Sequence, residues 1–180
     1  IASHDLQEPL RMISSYTQLL ERKYKDKLDD DANEFIHYAV DGANRMQKMI
    51  NDLLEYSRIT SRGKELETVD TSIILGKVIS MLQLKIEDNS ALITNDDLPI
   101  VKGDASQILR VFQNLIENAI KYKKKSENPK IHISCQKKND FYEFSVKDNG
   151  IGMDMKYKDK LFMIFSRLHS SKEYPGTGIG

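Results

Sequence analysis

The sequence predicts two domains: an all-α helical hairpin that pairs into a dimeric four-helix bundle, followed by an α+β sandwich. Three observations carry this. Residues 1–60 repeat their apolar side chains in alternating steps of four and three, the spacing of a heptad-like helix stripe. The pattern stops at Thr60-Ser61-Arg62-Gly63-Lys64, a linker-like stretch. Beyond it, helical patterns lead into two runs that alternate in steps of two, the period of half-buried strands.

The first helix aligns Leu6, Leu10, Ile13, Thr17, Leu20 and Tyr24 on one face. His4 stands about 160° round the helix from Leu6, on the face of Glu8, Arg11 and Ser15. Taken alone, such a histidine reads as a solvated bystander. Asp29-Asp30-Asp31 suits the first turn of a second helix, because carboxylates favour helix N-termini. It lacks the alternating acids and central glycine of a calcium loop. The second helix, over about residues 32–58, carries the stripe Phe35, Ala39, Gly42, Met46, Met49, Leu53, Tyr56. A parallel row of Ile36, Ala43, Ile50 and Leu54 widens that face beyond what one helix can cover. An isolated two-helix hairpin is marginal, and a second copy in a homodimer solves the problem.

Residues 61–66 are the expected linker and 67–180 the expected second domain. Thr71 to Ile86 is predicted as one helix with Ile74, Val78, Leu82 and Ile86 inward. Leu92-Ile93-Thr94 and Ile100-Val101 are short strands, and a helix capped by Asp104 runs from Ala105 to about Lys124. Its core face is Ile108, Phe112, Leu115 and Ala119. Ile131, Ile133 and Cys135 alternate with polar residues, as do Tyr142, Phe144 and Val146, which predicts an antiparallel hairpin through Lys138-Asn139-Asp140. Cys135 then belongs to core packing, while His37 and His132 face outward.

Composition excludes several classes. The chain has 180 residues, 39% hydrophobic and 30% charged, a soluble globular profile. Lys+Arg and Asp+Glu balance at 27 each, so no global field draws nucleic acid or an anionic membrane. Lys123-Lys124-Lys125 lacks the aromatic interleaving of a nucleic-acid patch and suits a helix C-terminus. One cysteine permits neither an internal disulfide nor a cysteine-based zinc site. No apolar run reaches the roughly 18–20 residues of a membrane span, and no signal peptide is evident, so a cytoplasmic location is expected. The chain begins three residues before His4 and stops inside a glycine motif, so upstream and downstream elements are expected outside it.

Three stretches bear chemistry. Asn114, Asn118 and Lys121 sit at i, i+4 and i+7 on one helix face. An amide oxygen can ligate Mg²⁺ without adding charge, and lysine neutralises phosphate oxygens. Asp148-Asn149-Gly150-Ile151-Gly152 places a carboxylate at a strand end before a tight, ligand-accessible turn. Gly176-Thr177-Gly178-Ile179-Gly180 can cradle phosphates with backbone amides, and residues 153–175 between the two would form a lid. No Gly-x-x-x-x-Gly-Lys-Ser/Thr P-loop is present.

In order, these are a His-Asp helix box, Asn-Leu-Ile-Glu-Asn-Ala-Ile-Lys-Tyr (114–122), Asp-Asn-Gly-Ile-Gly (148–152), Phe162-Met163-Ile164-Phe165 and the closing glycine box. This series closely resembles the sensor histidine kinases of two-component systems. Arg167-Leu168-His169 and Tyr174-Pro175-Gly176 are similar to the phytochrome-like, PAS-linked subgroup. The resemblance implies a dimerisation and phosphotransfer hairpin at 1–60 with His4 as phosphoacceptor. It implies an ATP-binding sandwich of the gyrase and Hsp90 type at 67–180, incomplete at its C-terminus. It further implies Asn114 and Asn118 in the asparagine box, with Asn118 the Mg²⁺ ligand, Lys121 on phosphate and Tyr122 lining the pocket. Asp148 would read the adenine amine, with Gly150 and Gly152 shaping that wall. Phe162 and Phe165 would form the phenylalanine box, and Gly176, Gly178 and Gly180 the second glycine box. The expected partner is a response-regulator receiver domain, and the resemblance implies that the upstream element is a sensor domain.

A neutral imidazole is a competent nucleophile near pH 7, and Asp5 could hold one ring nitrogen while the other attacks. Glu8 departs from the family, many members of which carry threonine or asparagine there to position a hydrolytic water; this places phosphatase activity in question. Two rivals stand beside the kinase. A gyrase-type or Hsp90-type ATPase needs a glutamate base where Asn114 stands. A non-catalytic scaffold predicts loss of His4, Asn118, Asp148 or the glycines, and all are present.

Overall fold

The computed structural model describes residues 2–25, 27–61, 66–161 and 163, without the side chains of 2–6, 55–61 and 160. Two compact units emerge, one containing residues 1–63 and one of residues 64–158.

The first unit is a helical hairpin of α1 (Ala2–Tyr24) and α2 (Asp30–Ser61). Asp29 caps α2, its Oδ1 accepting the Ala32 N–H at 2.8 Å. The Asn33 amide donates to the carbonyls of Lys25 (3.1 Å) and Leu28 (3.3 Å), which closes the turn. Leu10 on α1 and Val40 and Ala43 on α2 are buried. Exposed polar pairs also link the two helices: Gln7 Nε2 donates to Asn51 Oδ1 at 2.8 Å and Ser14 Oγ to Asn44 Oδ1 at 3.1 Å. The two predicted rows on α2 therefore separate. Ile36, Ala43, Ile50 and Leu54 turn inward, while Phe35 is 68% exposed, with Met46 and Leu53 also exposed. On α1 the predicted stripe splits in the same way, since Leu10 is buried and Ile13 and Leu20 are exposed. One helix cannot cover an apolar arc this wide.

The second unit begins with β1 (Glu67–Asp70), a strand that no sequence pattern predicts. Only Val69 in it is buried, so no alternation marks it. The predicted helix from Thr71 to Ile86 is two helices, α3 (Thr71–Met81) and α4 (Gln83–Asp88), broken at Leu82. Leu82 is buried, and its N–H is shared between the carbonyls of Val78 and Ile79. The chain turns there to bury one more leucine. β2 (Leu92–Asn95) and β3 (Ile100–Gly103) fall where expected but pair with different partners. β3 runs antiparallel to β1, and β2 runs parallel to β4 (Lys130–Lys138).

β4 also pairs antiparallel with β5 (Phe141–Asp148), in the register Ile131↔Asp148 and Cys135↔Phe144. The hairpin turn uses Asn139 at φ 54°, a left-handed conformation that asparagine tolerates better than most residues. α5 (Ala105–Lys121) packs on this sheet. Its cap is the predicted one: Asp104 Oδ1 accepts from the N–H groups of Ser106 (2.8 Å) and Gln107 (3.3 Å). The predicted core face needs correcting. Phe112, Ile116, Ala119 and Ile120 are buried, whereas Leu115 is 43% exposed. The ring of Phe112 meets Phe144 edge-on, centroids 5.8 Å apart at 74°, a favoured aromatic geometry. Residues 153–161, expected within a lid, include a 3₁₀ turn at Met155–Lys160.

Candidate functional site

Helix α5 ends at Lys121, three residues earlier than its pattern predicts, because another element takes its next carbonyl. The Ile151 N–H donates to Tyr122 O at 2.9 Å. This bond brings the turn after β5 against the end of α5, so the asparagine-bearing helix and the Asp148 turn form one site. Gly150 lies at the closest approach. A Cβ there would stand 2.6 Å from Tyr122 O and 2.7 Å from Asp148 Oδ1, with backbone on one side. Only glycine fits without a shift. Gly152 has φ +67°, the conformation glycine adopts freely.

Within this site Asp148 is exposed, and its Oδ1 accepts the Gly150 N–H at 2.7 Å. One carboxylate oxygen is thereby anchored to the turn. Asn114 is half-buried and Asn118 exposed, one turn apart on α5. Lys121 Nζ donates to Tyr122 Oη at 2.9 Å and lies 4.5 Å from that ring's centroid, so the cation rests on its neighbour and would leave it to reach a phosphate. Exposed Val111 and Leu115 flank the amides and supply apolar surface beside them.

The residues suit a Mg-nucleotide. Among the described residues no three His, Cys, Asp or Glu side chains gather to hold a metal. An amide oxygen such as that of Asn118 is chemically able to ligate Mg²⁺ without adding charge, and Lys121 is a cation suited to phosphate. Glu117 is engaged elsewhere, accepting from Lys85 Nζ at 2.9 Å and from Gln113 Nε2 at 3.4 Å. It bridges α5 to α4 and is not presented as a water-activating base.

Several expected residues fall outside this description. The backbone of His4 and Asp5 lies in α1, but their side chains are among those not described. Glu8 is exposed on α1, one turn beyond His4. Phe162, Phe165, Gly176, Gly178 and Gly180 lie outside the described residues. The expected outward histidines behave differently from each other. His37 is exposed, 3.8 Å from Glu21. His132 is held on the outer sheet face by Thr94 Oγ1 (2.9 Å to Nδ1) and Asp96 (3.4 Å from Nε2). Cys135 is half-buried beside Phe144, and burial raises its thiol pKa above the ordinary value.

Asn149 is the residue whose part the sequence did not reveal. Its side chain ties the turn to the connector before β4, through Lys130 N–H at 2.8 Å and Asn128 O at 3.1 Å. A polar residue between two motif positions carries no periodic signal, and only the tertiary contact discloses it.

Comparisons with known proteins identify the family and the fold. Residues 1–62 match the His Kinase A (phospho-acceptor) domain, and residues 103–180 match the histidine kinase-, DNA gyrase B-, and HSP90-like ATPase family. Cyanobacterial phytochrome A of Nostoc sp. is 46% identical over 180 residues, which are all of this chain and 23% of that protein. The chain thus spans about a quarter of the length of the phytochrome relatives it matches. The structure of full-length ShkA in complex with AMPPNP aligns with a TM-score of 0.69 at 21% identity, over 99% of this chain and 37% of that one. Histidine kinase ThkA, solved in complex with the response regulator TrrA, aligns at 0.60 and 20% identity over 94% of this chain and 50% of that one. These two likenesses speak to the fold. With a phospho-acceptor hairpin followed by an ATPase-type α/β unit, and phytochrome sequences among its relatives, the chain belongs to the sensor histidine kinases, in their phytochrome-like subgroup.

Proposed function

We propose that this chain transfers the γ-phosphoryl group of ATP to His4 and then passes it to an aspartate on a response-regulator receiver domain. The observation that carries this is the Ile151–Tyr122 bond, which holds the Asp148 turn and the asparagine-box helix as one site. In this reading Asp148 accepts from the adenine amine, Tyr122 lines the base pocket, and Gly150 and Gly152 let the backbone approach the base. Asn114, Asn118 and Lys121 face the phosphates, together with the glycine box at Gly176, Gly178 and Gly180. Bound Mg²⁺, ligated by Asn118, would neutralise phosphate charge during transfer. The imidazole of His4 attacks phosphorus through one ring nitrogen, the bond to the ADP oxygen breaks, and Asp5 holds the proton on the other nitrogen.

The domain limits belong to the same reading: residues 1–60 as the hairpin, 61–66 as a linker, 67–180 as the ATP-binding domain. The hairpin works as a homodimer whose four-helix bundle covers Phe35, Met46 and Leu53, and a sensor domain precedes it. Among the described residues no helix is long and apolar enough to cross a membrane, and we assign this portion to the cytoplasm. Glu8 stands where a water-positioning amide or hydroxyl is needed for phosphatase action, so the enzyme is biased toward kinase activity. Rapid regulator dephosphorylation that disappears in Glu8→Ala would sink that last point.

The decisive experiment is incubation of the intact protein with ATP and Mg²⁺. An acid-labile, base-stable phosphate is expected, and it should be absent from His4→Gln. Label that persists in His4→Gln, or none in the wild type, would overturn the proposal.

A further inference from the structure

We infer that Asn149 is a positioning residue for nucleotide-base recognition, its amide locking the Asp148 turn to the connector between α5 and β4. The inference rests on the reading of Asp148 as the group that meets the base. Asn149 Oδ1 accepts the Lys130 N–H at 2.8 Å, while Nδ2 donates to Asn128 O and Glu127 Oε2, each at 3.1 Å. Three of the four hydrogen-bonding capacities of the amide are thus spent on one connector.

The other end of that connector is held as well. Tyr122 O accepts from Ile151 N–H at 2.9 Å, so residues 122–130 are gripped at both ends by the residues flanking Gly150. The Asp148 carboxylate is part of the same turn through the Gly150 N–H. Lys130 opens β4 immediately before Ile131, which registers against Asp148. The carboxylate's position is therefore set by the connector as well as by the sheet. Because the connector continues from α5, Asn149 also fixes the base-reading carboxylate relative to Lys121 and Tyr122.

The donor pattern makes the inference specific. Aspartate has nearly the same shape as asparagine but offers acceptors only. At position 149 it would face the Asn128 carbonyl and the Glu127 carboxylate with no proton to share. Glu127→Gln would return one donor to that contact.

The test measures ATP and GTP binding by the intact protein and by Asn149→Ala, Asn149→Asp and the double variant Asn149→Asp with Glu127→Gln. Hydrogen exchange at the Lys130 and Ile151 amides is followed without nucleotide. Asn149→Ala is expected to weaken ATP about tenfold, roughly 1.4 kcal/mol, to narrow the preference for ATP over GTP, and to speed exchange at both amides. Asn149→Asp should be weaker still, with partial recovery in the double variant. A merely structural role would lower the melting temperature and leave the ATP-to-GTP ratio unchanged, which would overturn the inference; so would wild-type affinity in Asn149→Ala. A wild-type protein that binds ATP but leaves His4 unphosphorylated defeats the kinase reading alone. One that binds no ATP defeats both.

Discussion

The two units stabilise themselves by different means. In the ATPase-type unit Ile116, Val78 and Ile133 have no measurable exposure, and α3, α5 and the sheet close around them. In the hairpin, only Leu10, Val40 and Ala43 are buried among the described residues, Ile36, Ile50 and Leu54 are half-buried, and exposed amide and hydroxyl pairs link the helices. Its large apolar groups, Ile13, Phe35, Met46 and Leu53, face outward. Hydrogen bonds exchanged with water contribute little net stability, whereas buried apolar area drives folding. One unit is thus held by its own core, while the other leaves much of its apolar surface exposed.

The comparison can be broken most severely at Ile116. Ile116→Ala leaves a cavity in a closed core and should cost about 2–5 kcal/mol, seen as early unfolding of the ATPase-type unit while the hairpin's helical signal persists. Loss of both together would show that the units do not stand apart energetically.

The next effect is at the hairpin's outward face. Phe35→Ser with Met46→Ser removes two side chains worth about 1.5–3 kcal/mol each when buried. Sedimentation should show a homodimer dissociating at far higher concentration than the wild type, and the wild-type hairpin's melting should depend on concentration. A monomer of unchanged stability in the wild type would erase the contrast.

A smaller effect sharpens it. Asp104→Ala removes the α5 cap, so denaturant unfolding should report a loss of about 1 kcal/mol confined to the ATPase-type unit. The smallest concerns Cys135. Burial raises its pKa, so the folded state favours the neutral thiol, and this contribution is lost as pH rises past the ordinary thiol range. Alkylation of the native protein should set in at higher pH than alkylation of the denatured chain; coincident profiles would show that the strand gives no shelter.

Much of this was legible in the residues because long periodic elements announce themselves. The helix of α1, the cap at Asp104 and the alternation of Ile131 and Ile133 each come from a local rule, and the structure follows them. The failures share a cause. β1 has a single inward residue, and Leu115 and Ile116 differ by one step round a helix whose neighbours choose the buried face. The break at Leu82 serves a core made by distant segments.

Order along the chain by itself determined the family. A histidine-aspartate helix box, an asparagine box and glycine turns occur in that order in one sequence, and together they are far more specific than any one of them. Only the tertiary structure decided which α2 row lies in the seam, where α5 stops, and that Asn149 grips the connector. Those outcomes depend on which carbonyl or apolar face remains unclaimed once the other elements have packed. Such competition is settled between segments far apart in sequence, beyond the reach of any local pattern.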